Sequence, residues 1–195
     1  MEMPFDPAFA DQLDSPERRR VLPIKEILRY ILSLPVGRKV AVDVGAGTGY
    51  LTVPLSWVFR KVYAVEANLK MAKLLEKRLN ERGITNVEVI LSEKPPEIHE
   101  TPDLVAFSLS LHEIEGWKDY LRWASRAEYI LVIEWCVDSP KGPPREEKIP
   151  REALVNIEGF ELVLSRVRFP YYLVILRTGS VLAKNSMLSQ RGPVL

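Results

Sequence analysis

The sequence V-D-V-G-A-G-T-G-Y, residues 42–50, decides the fold of this chain. The β-branched run that enters it, residues 39–44, predicts a short buried strand. Three glycines in five positions predict a tight turn whose backbone comes close to a ligand. We expect a helix to begin at Thr48, so that its unpaired N–H groups lie at the carboxyl end of the strand. Open parallel sheets bind nucleotide-like ligands at that place.

The spacing of the glycines separates two kinds of cofactor. A dinucleotide fingerprint needs G-x-G-x-x-G, and counting from Gly45 puts Tyr50 where the third glycine belongs, which counts against NAD. The pattern resembles the first motif of class I S-adenosylmethionine-dependent methyltransferases, an acid followed by G-x-G-x-G. That cofactor carries an amino acid and a sulfonium instead of a pyrophosphate, so an acid such as Asp43 near its ammonium group is useful. A glycine turn without a ligand remains the alternative on this motif alone.

The composition is that of a soluble globular protein with one domain. The chain has 195 residues, of which 47% are hydrophobic and 27% charged, and it is long enough to bury a core. A net charge of +1 provides no overall field for nucleic acid, although residues 18–20 form a local Arg-Arg-Arg cluster. The single cysteine, Cys136, excludes an internal disulfide and a cysteine metal cluster. We predict no metal site.

The N-terminal residues do not resemble a signal peptide, because acids and prolines stand where a cationic region and an apolar run would be needed. No apolar stretch of the sequence approaches the length that spans a membrane. We therefore expect a cytoplasmic protein without membrane contact.

Hydrophobic periodicity predicts five strands that alternate with helices, followed by an antiparallel pair. This order favours a doubly wound, Rossmann-like α/β fold with a seven-stranded, mostly parallel sheet and an antiparallel final hairpin. The predicted strands are residues 39–44, 61–65, 87–91, 103–107, 129–135, 161–168 and 171–177. The predicted helices are residues 23–35, 48–59, 68–83, 116–126 and 151–157, with a long exposed loop at 137–150.

Three segments are expected along the chain. Residues 1–20 form an irregular arm with at most a short helical turn, because prolines and acids outnumber apolar positions there. Residues 21–178 form the domain. Residues 179–195 form a tail that is either mobile or used to assemble a homo-oligomer.

A second acid supports a nucleoside-containing cofactor. Glu66 ends the second predicted strand, and a carboxylate at the carboxyl end of a neighbouring parallel strand can accept both ribose hydroxyl protons. Asn68 follows it as the expected cap of the next helix. Glu66→Gln is therefore expected to weaken cofactor binding and to leave folding nearly unchanged.

The resemblance to class I methyltransferases covers roughly residues 20–178. It is strongest to the small enzymes of the ubiquinone- and menaquinone-biosynthesis type, on an Arg-rich lead-in at 18–23, an L-H-E-I stretch at 111–114 and a Gly-Pro-Pro loop at 142–144. Two positions depart from the family pattern. Arg-Ala-Glu-Tyr at 126–129 replaces the usual Lys-Pro-Gly-Gly turn, and Glu93 stands where Asp is more usual.

The resemblance implies a role for each polar position at the strand ends. The glycines hold the methionine part of S-adenosylmethionine, Glu66 holds the ribose, and Glu93, with Ser92 beside it, contacts the adenine amino group. After transfer the product is S-adenosylhomocysteine. The predicted cofactor-binding residues are Asp43, Gly45, Ala46, Gly47, Thr48, Gly49, Glu66, Ala67, Asn68, Ser92, Glu93 and Ser108.

The catalytic group is left unassigned. Methyl transfer from a sulfonium is an in-line displacement, in which positioning and exclusion of water supply much of the acceleration. His112 is the one titratable candidate with a near-neutral reference pKa on the crevice side. A loop histidine bonded to nearby backbone is the alternative interpretation of that residue.

Three functions agree with these residues. We favour methyl transfer to a small-molecule acceptor, because neither an appended recognition domain nor a broad basic face is expected. The second is a methyltransferase acting on RNA or protein. This function is supported by the arginines at 18–20, 166, 168 and 177. The third is a non-catalytic protein that binds S-adenosylmethionine.

Overall fold

The computed structural model describes residues 16–179, apart from the side chains of residues 17–19. Its seven strands are β1 (Val40–Val44), β2 (Lys61–Glu66), β3 (Val87–Leu91), β4 (Leu104–Ser108), β5 (Tyr129–Trp135), β6 (Phe160–Arg168) and β7 (Tyr171–Thr178). They form one sheet in the order β3-β2-β1-β4-β5-β7-β6. Strands β1 to β5 are parallel, and β7 is antiparallel to both of its neighbours. The predicted seven-stranded, mostly parallel sheet with an antiparallel final hairpin is confirmed.

Helices pack on both faces of this sheet. They are α1 (Pro16–Val21), α2 (Ile24–Ser33), α3 (Thr52–Ser56), α4 (Leu69–Glu81), α5 (Trp117–Ala124) and α6 (Arg151–Val155), with short 3₁₀ turns at Leu111–Glu113 and Arg145–Glu147. Among the helices at positions 16–179, none is both long and apolar enough to cross a membrane. Residues 1–15 of the predicted arm and 180–195 of the predicted tail lie outside the described residues, and 16–20 belong to α1.

The helix predicted to begin at Thr48 begins instead at Thr52 and ends at Ser56. The reason lies in the backbone, because Gly47 and Gly49 have φ angles of 55° and 87°, in the left-handed region that a right-handed helix does not contain. The glycine loop therefore continues as turns up to Leu51. A helix of only five residues is too short to supply the N-terminal donors that the sequence led us to expect at the glycines.

Alternation along the central strands divides the core between the two faces of the sheet. On one face, Val42 and Phe107 pack with Leu121 of α5. On the other face, Ala41 and Ile31 of α2 belong to a second buried cluster. Every residue of β1 is buried, which explains why this strand reads as a continuous apolar run interrupted only by its acid.

The strand order creates a crevice beside β1. The chain runs from β1 to β2 and β3 on one side and returns to β4 and β5 on the other, so the strand order reverses between β1 and β4. Such a switch point is where open α/β sheets bind ligands. Val44 and Phe107 are register partners at this edge, which brings the glycine loop and the turn after β4 side by side.

Most of the segment 137–150 is exposed, as predicted, but three of its residues are buried. They are Ser139, Lys148 and Ile149. The Lys148 ammonium donates to the Ser139 carbonyl at 2.5 Å, and the Tyr172 hydroxyl donates to the Ile149 carbonyl at 2.7 Å. The loop is thus anchored against β7 through Ile149, while most of its other residues are exposed to solvent.

Candidate active site

The glycine loop is fixed to both neighbouring strands. The N–H groups of Gly45 and Ala46 donate to the Val65 carbonyl at 2.9 and 3.0 Å, which ties the loop to the end of β2. On the other side, the Ser110 hydroxyl donates to the Val44 carbonyl at 2.6 Å. A Cβ atom at Gly45 would lie 2.3 Å from the Ser110 Cβ, and the φ of Gly45 is 71°. Glycine is therefore required here by both space and backbone conformation.

Glu66 is a buried acceptor of backbone hydrogen bonds. Its side chain closes the gap between the glycine loop and α4, because Oε2 accepts the Gly47 N–H at 2.7 Å and Oε1 accepts the Asn68 N–H at 2.9 Å. The residue is 9% exposed, so it is not a solvated strand-end carboxylate. Each oxygen keeps a further lone pair with which to accept a hydroxyl.

Asp43 is a buried acid beneath the glycine loop. Its Oδ2 accepts the Thr52 hydroxyl at 2.6 Å, while Oδ1 has no hydrogen-bond partner. Burial raises the pKa of Asp43 to about 7, against the hydrogen bond from Thr52, which lowers it. The carboxyl group is thus poised to change charge near neutral pH.

The remaining predicted cofactor residues lie along the same edge of the sheet. Ala46, Thr48 and Gly49 are buried parts of the loop, and Asn68 caps α4 by accepting the N–H groups of Lys70 and Met71. Ser92 donates its N–H to the Glu66 carbonyl at 3.0 Å. Glu93 and Ala67 are exposed beside it, and Ser108 is half-buried at the end of β4.

Two buried oxygens in this loop region have no partner, Asp43 Oδ1 and the Thr48 hydroxyl. Buried polar atoms are normally hydrogen-bonded, so these two mark a place for polar groups of a ligand. S-Adenosylmethionine fits these acceptors, because its ammonium group needs an acid and its ribose hydroxyls need the oxygens of Glu66. The binding roles of these residues stay predictions.

The turn after β4 carries a histidine–carboxylate pair that the sequence did not reveal. His112 Nδ1 lies 2.7 Å from Glu134 Oε2, and the two side chains are 7% and 1% exposed. Glu134 Oε1 also accepts the N–H groups of Leu111 and His112, at 2.9 and 3.2 Å. His112 is therefore bonded to a buried carboxylate, and the interpretation of it as a loop histidine bonded only to backbone is wrong.

The pKa of His112 is raised above its ordinary value. Burial lowers it, but the hydrogen bond and negative charge of Glu134, with smaller contributions from Glu113 and Glu147, outweigh burial. A signal for Glu134 was available in the sequence, because it is the single charged residue in the apolar strand Tyr129–Trp135. A charge inside a buried strand normally needs a partner.

The backbone before this pair adopts a rare conformation. Leu109 has a φ of 58°, which is unusual for a residue with a bulky side chain. Its N–H donates to the Ile133 carbonyl at 2.8 Å, and its side chain is buried. Because Leu109 adopts this left-handed conformation, the chain turns sharply at the end of β4, and Ser110 lies against Gly45. Within the described range of 16–179, no cluster of three or more His, Cys, Asp or Glu residues is arranged to hold a metal.

Comparison with known proteins agrees with this site. A family model described as "methyltransferase domain" matches residues 42–127. A probable cobalt-precorrin-6B C(15)-methyltransferase (decarboxylating) from Methanothermobacter thermautotrophicus is 35% identical over 74 residues, which cover 37% of this chain and 38% of that protein. The similarity thus spans well under half the length of this curated relative.

Two crystal structures have the same fold. A S-adenosylmethionine-dependent methyltransferase from Aquifex aeolicus superposes with a TM-score of 0.77 at 26% identity, over 90% of this chain and 100% of that one. A S-adenosylmethionine-dependent methyltransferase from Clostridium acetobutylicum gives a TM-score of 0.69 at 13% identity, over 89% and 98% of the two chains. Together these similarities support a class I S-adenosylmethionine-dependent methyltransferase. S-Adenosylmethionine is the cofactor of this family.

The pKa of Asp43 makes stability depend on pH. A carboxyl group whose pKa is about 7 when folded and near 4 when unfolded favours the folded state below pH 4, and this advantage is lost as the pH rises to 7. We expect the free energy of unfolding at pH 8 to be lower than at pH 5 by on the order of 2 kcal/mol. The urea midpoint should fall accordingly.

Asp43→Asn separates this effect from that of His112, whose raised pKa changes stability in the same direction. The asparagine keeps an oxygen for the Thr52 hydroxyl but has no charge. Its urea midpoint should change less than that of the wild type between the two pH values. An identical loss in both proteins would show that Asp43 does not titrate in this range.

Gly45→Ala should disrupt the ligand-binding loop specifically. The added Cβ would collide with Ser110, so the loop or the turn after β4 has to move, and cofactor affinity should fall at least about tenfold. Gly83→Ala is the matched control, because Gly83 also has a left-handed φ but nothing lies within 4 Å of its Cβ position. That variant should lose roughly 1–2 kcal/mol of stability and bind the cofactor normally. Calorimetric titration of both variants decides; equal affinities would contradict the close-contact argument.

Proposed function

We propose that this chain transfers the methyl group of S-adenosylmethionine to a small-molecule acceptor. The observation that carries the proposal is the arrangement of the crevice. The glycine loop and Glu66 lie on its β2 side, and the turn with His112 lies on its β4 side. The first group suits a nucleoside cofactor, and the second offers polar side chains to an acceptor.

Different residues of the chain bind the cofactor and exclude water. Glu66 accepts ribose hydroxyls with the lone pairs left by Gly47 and Asn68, and Asp43 provides negative charge near the amino-acid part of the cofactor. The bound cofactor supplies a methyl group activated by its sulfonium. The buried loop and the packed segment 137–150 exclude water and hold the acceptor in line, which is the main source of acceleration for a displacement.

A small acceptor is favoured over RNA by the arginines that first suggested nucleic acid. Arg168 forms an ion pair with Glu26, and Arg177 lies 3.9 Å from Glu128. Two of the six arginines that suggested nucleic acid are thus paired with acids. The Methanothermobacter relative is named as a methyltransferase of cobalt-precorrin-6B, a small molecule, which supports the proposal.

The ribose role of Glu66 can be tested with Glu66→Gln. The substitution replaces one acceptor oxygen with a donor, so either Gly47 or Asn68 would face another N–H group. Because hydrogen bonds to charged groups contribute roughly 1.5–3 kcal/mol, cofactor affinity should fall about tenfold to a hundredfold. In contrast to the expectation from the sequence, stability should fall as well. Glu81→Gln, on the exposed side of α4, is the control. Calorimetry that gives one affinity for both variants would reject the ribose role.

The acceptor class can be tested with cofactor labelled in its methyl group. We expect transfer of label to members of a small-molecule panel containing hydroxyl, amine, thiol and carbon nucleophiles. Label in bulk RNA or in protein, with none in the panel, would support the runner-up function. Cofactor binding without transfer to any of the three would support the non-catalytic alternative.

A further inference from the structure

The pair formed by His112 and Glu134 has no task in cofactor binding. Glu134 is buried inside β5 and uses both oxygens, because Oε1 accepts two backbone N–H groups and Oε2 lies 2.7 Å from His112 Nδ1. A carboxylate bound to Nδ1 favours the tautomer in which that nitrogen carries the proton. Nε2 is then the nitrogen that can take up a proton.

The position of the pair ties it to the cofactor loop. Ser110 packs on Gly45 and donates to the Val44 carbonyl, and His112 follows two residues later in the same turn. The left-handed Leu109 and the hydrogen bonds from Leu111 and His112 to Glu134 hold this turn in place. The imidazole thus lies at the carboxyl edge of β4 and β5, next to the loop expected to hold the methyl donor.

Other charged groups near the imidazole are acidic. Glu113 Oε1, from the same turn, lies 3.8 Å from His112 Nε2, and Glu147 of the packed loop also acts on the imidazole. Tyr172 is the register partner of Glu134 on β7, but its hydroxyl donates to Ile149. The surroundings therefore favour a neutral acceptor over an anionic one and stabilise an imidazolium once it forms.

We propose that His112 is the general base of the methyl transfer, that Glu134 is its positioning residue, and that the acceptor is a hydroxyl group. This inference rests on the proposed function. A hydroxyl must lose a proton as it attacks, whereas an amine attacks with its lone pair and needs no base beforehand. A histidine held by a buried carboxylate is the arrangement that such a step requires.

The step balances without another reactant. The acceptor oxygen forms a bond to the methyl carbon as the carbon–sulfur bond breaks, and the electron pair of that bond stays on sulfur as a neutral thioether. The hydroxyl proton moves to His112 Nε2, and Glu134 stabilises the resulting imidazolium. The proton then leaves to solvent when the product departs.

The tautomer and pKa of His112 can be measured before any acceptor is known. The chain contains only two histidines, His112 and the exposed His99, so ¹⁵N NMR of the imidazole rings gives two sets of signals, with His99 as the reference. We expect His112 to titrate above the ordinary pKa of histidine, and to carry its proton on Nδ1 when neutral. A proton on Nε2 in the neutral form, or an imidazolium that persists beyond pH 9, would overturn the general-base role.

Two variants distinguish positioning from packing. Glu134→Gln removes the charge behind Nδ1 and should lower the His112 pKa, while Glu113→Gln, its neighbour on the more exposed side, should lower it less. Equal effects would contradict the assignment of Glu134. If Glu134→Gln fails to fold, the wild-type titration and His112→Asn still decide the matter.

Kinetics with the acceptor found in the labelled panel completes the test. The wild-type kcat should rise with pH through the pKa that NMR gives for His112, and His112→Asn should lower kcat roughly a hundredfold or more with little change in cofactor affinity. In Glu134→Gln the pH profile should move to lower pH. An amine, thiol or carbon acceptor, or a pH profile unchanged in His112→Asn, would reject the inference while leaving methyl transfer intact. No transfer to any acceptor would reject the proposed function itself, and cofactor binding would show whether the site survives.

Discussion

The contact between Gly45 and Ser110 is the constraint on which the site depends. With no side chain at position 45, the glycine loop can rest directly on the turn after β4. Ser110 then reaches the Val44 carbonyl, and the two halves of the crevice are fixed relative to each other. Everything placed by the loop, including the bond from Gly47 to Glu66, is thereby fixed relative to everything placed by the turn, including His112.

Three carboxylates are buried at this edge of the sheet, and each is stabilised differently. Glu66 accepts two backbone N–H groups. Glu134 accepts backbone N–H groups and a histidine, which offsets the cost of burying its charge. Asp43 has one hydroxyl partner and one bare oxygen, and its pKa rises as a consequence. The least compensated acid is therefore the one that most needs a cationic ligand.

Much of the fold could be predicted because its strands are apolar runs bounded by strong turn signals. The sheet edge could be inferred from the same pattern, since parallel strands bring Asp43, the glycines and Glu66 together at their carboxyl ends. The start of α3 could not be predicted, because the sequence shows where the glycines are but not which φ angles they adopt. The sequence shows Glu134 as a lone charge in an apolar strand, but it does not show its partner, because His112 lies twenty-two residues away in the 3₁₀ turn after β4.

The balance of charge in the crevice has a consequence for turnover. Asp43 and Glu66 are buried acids at the glycine loop, and in a buried site a negative charge acts on a ligand more strongly than in water. S-Adenosylmethionine carries a positive sulfonium, whereas its product carries a neutral thioether of nearly the same shape. In the binding mode proposed above, this charge favours the methyl donor over the spent cofactor, because only the donor is cationic at sulfur. On that proposal, discrimination between the two forms of the cofactor needs no change in the shape of the protein.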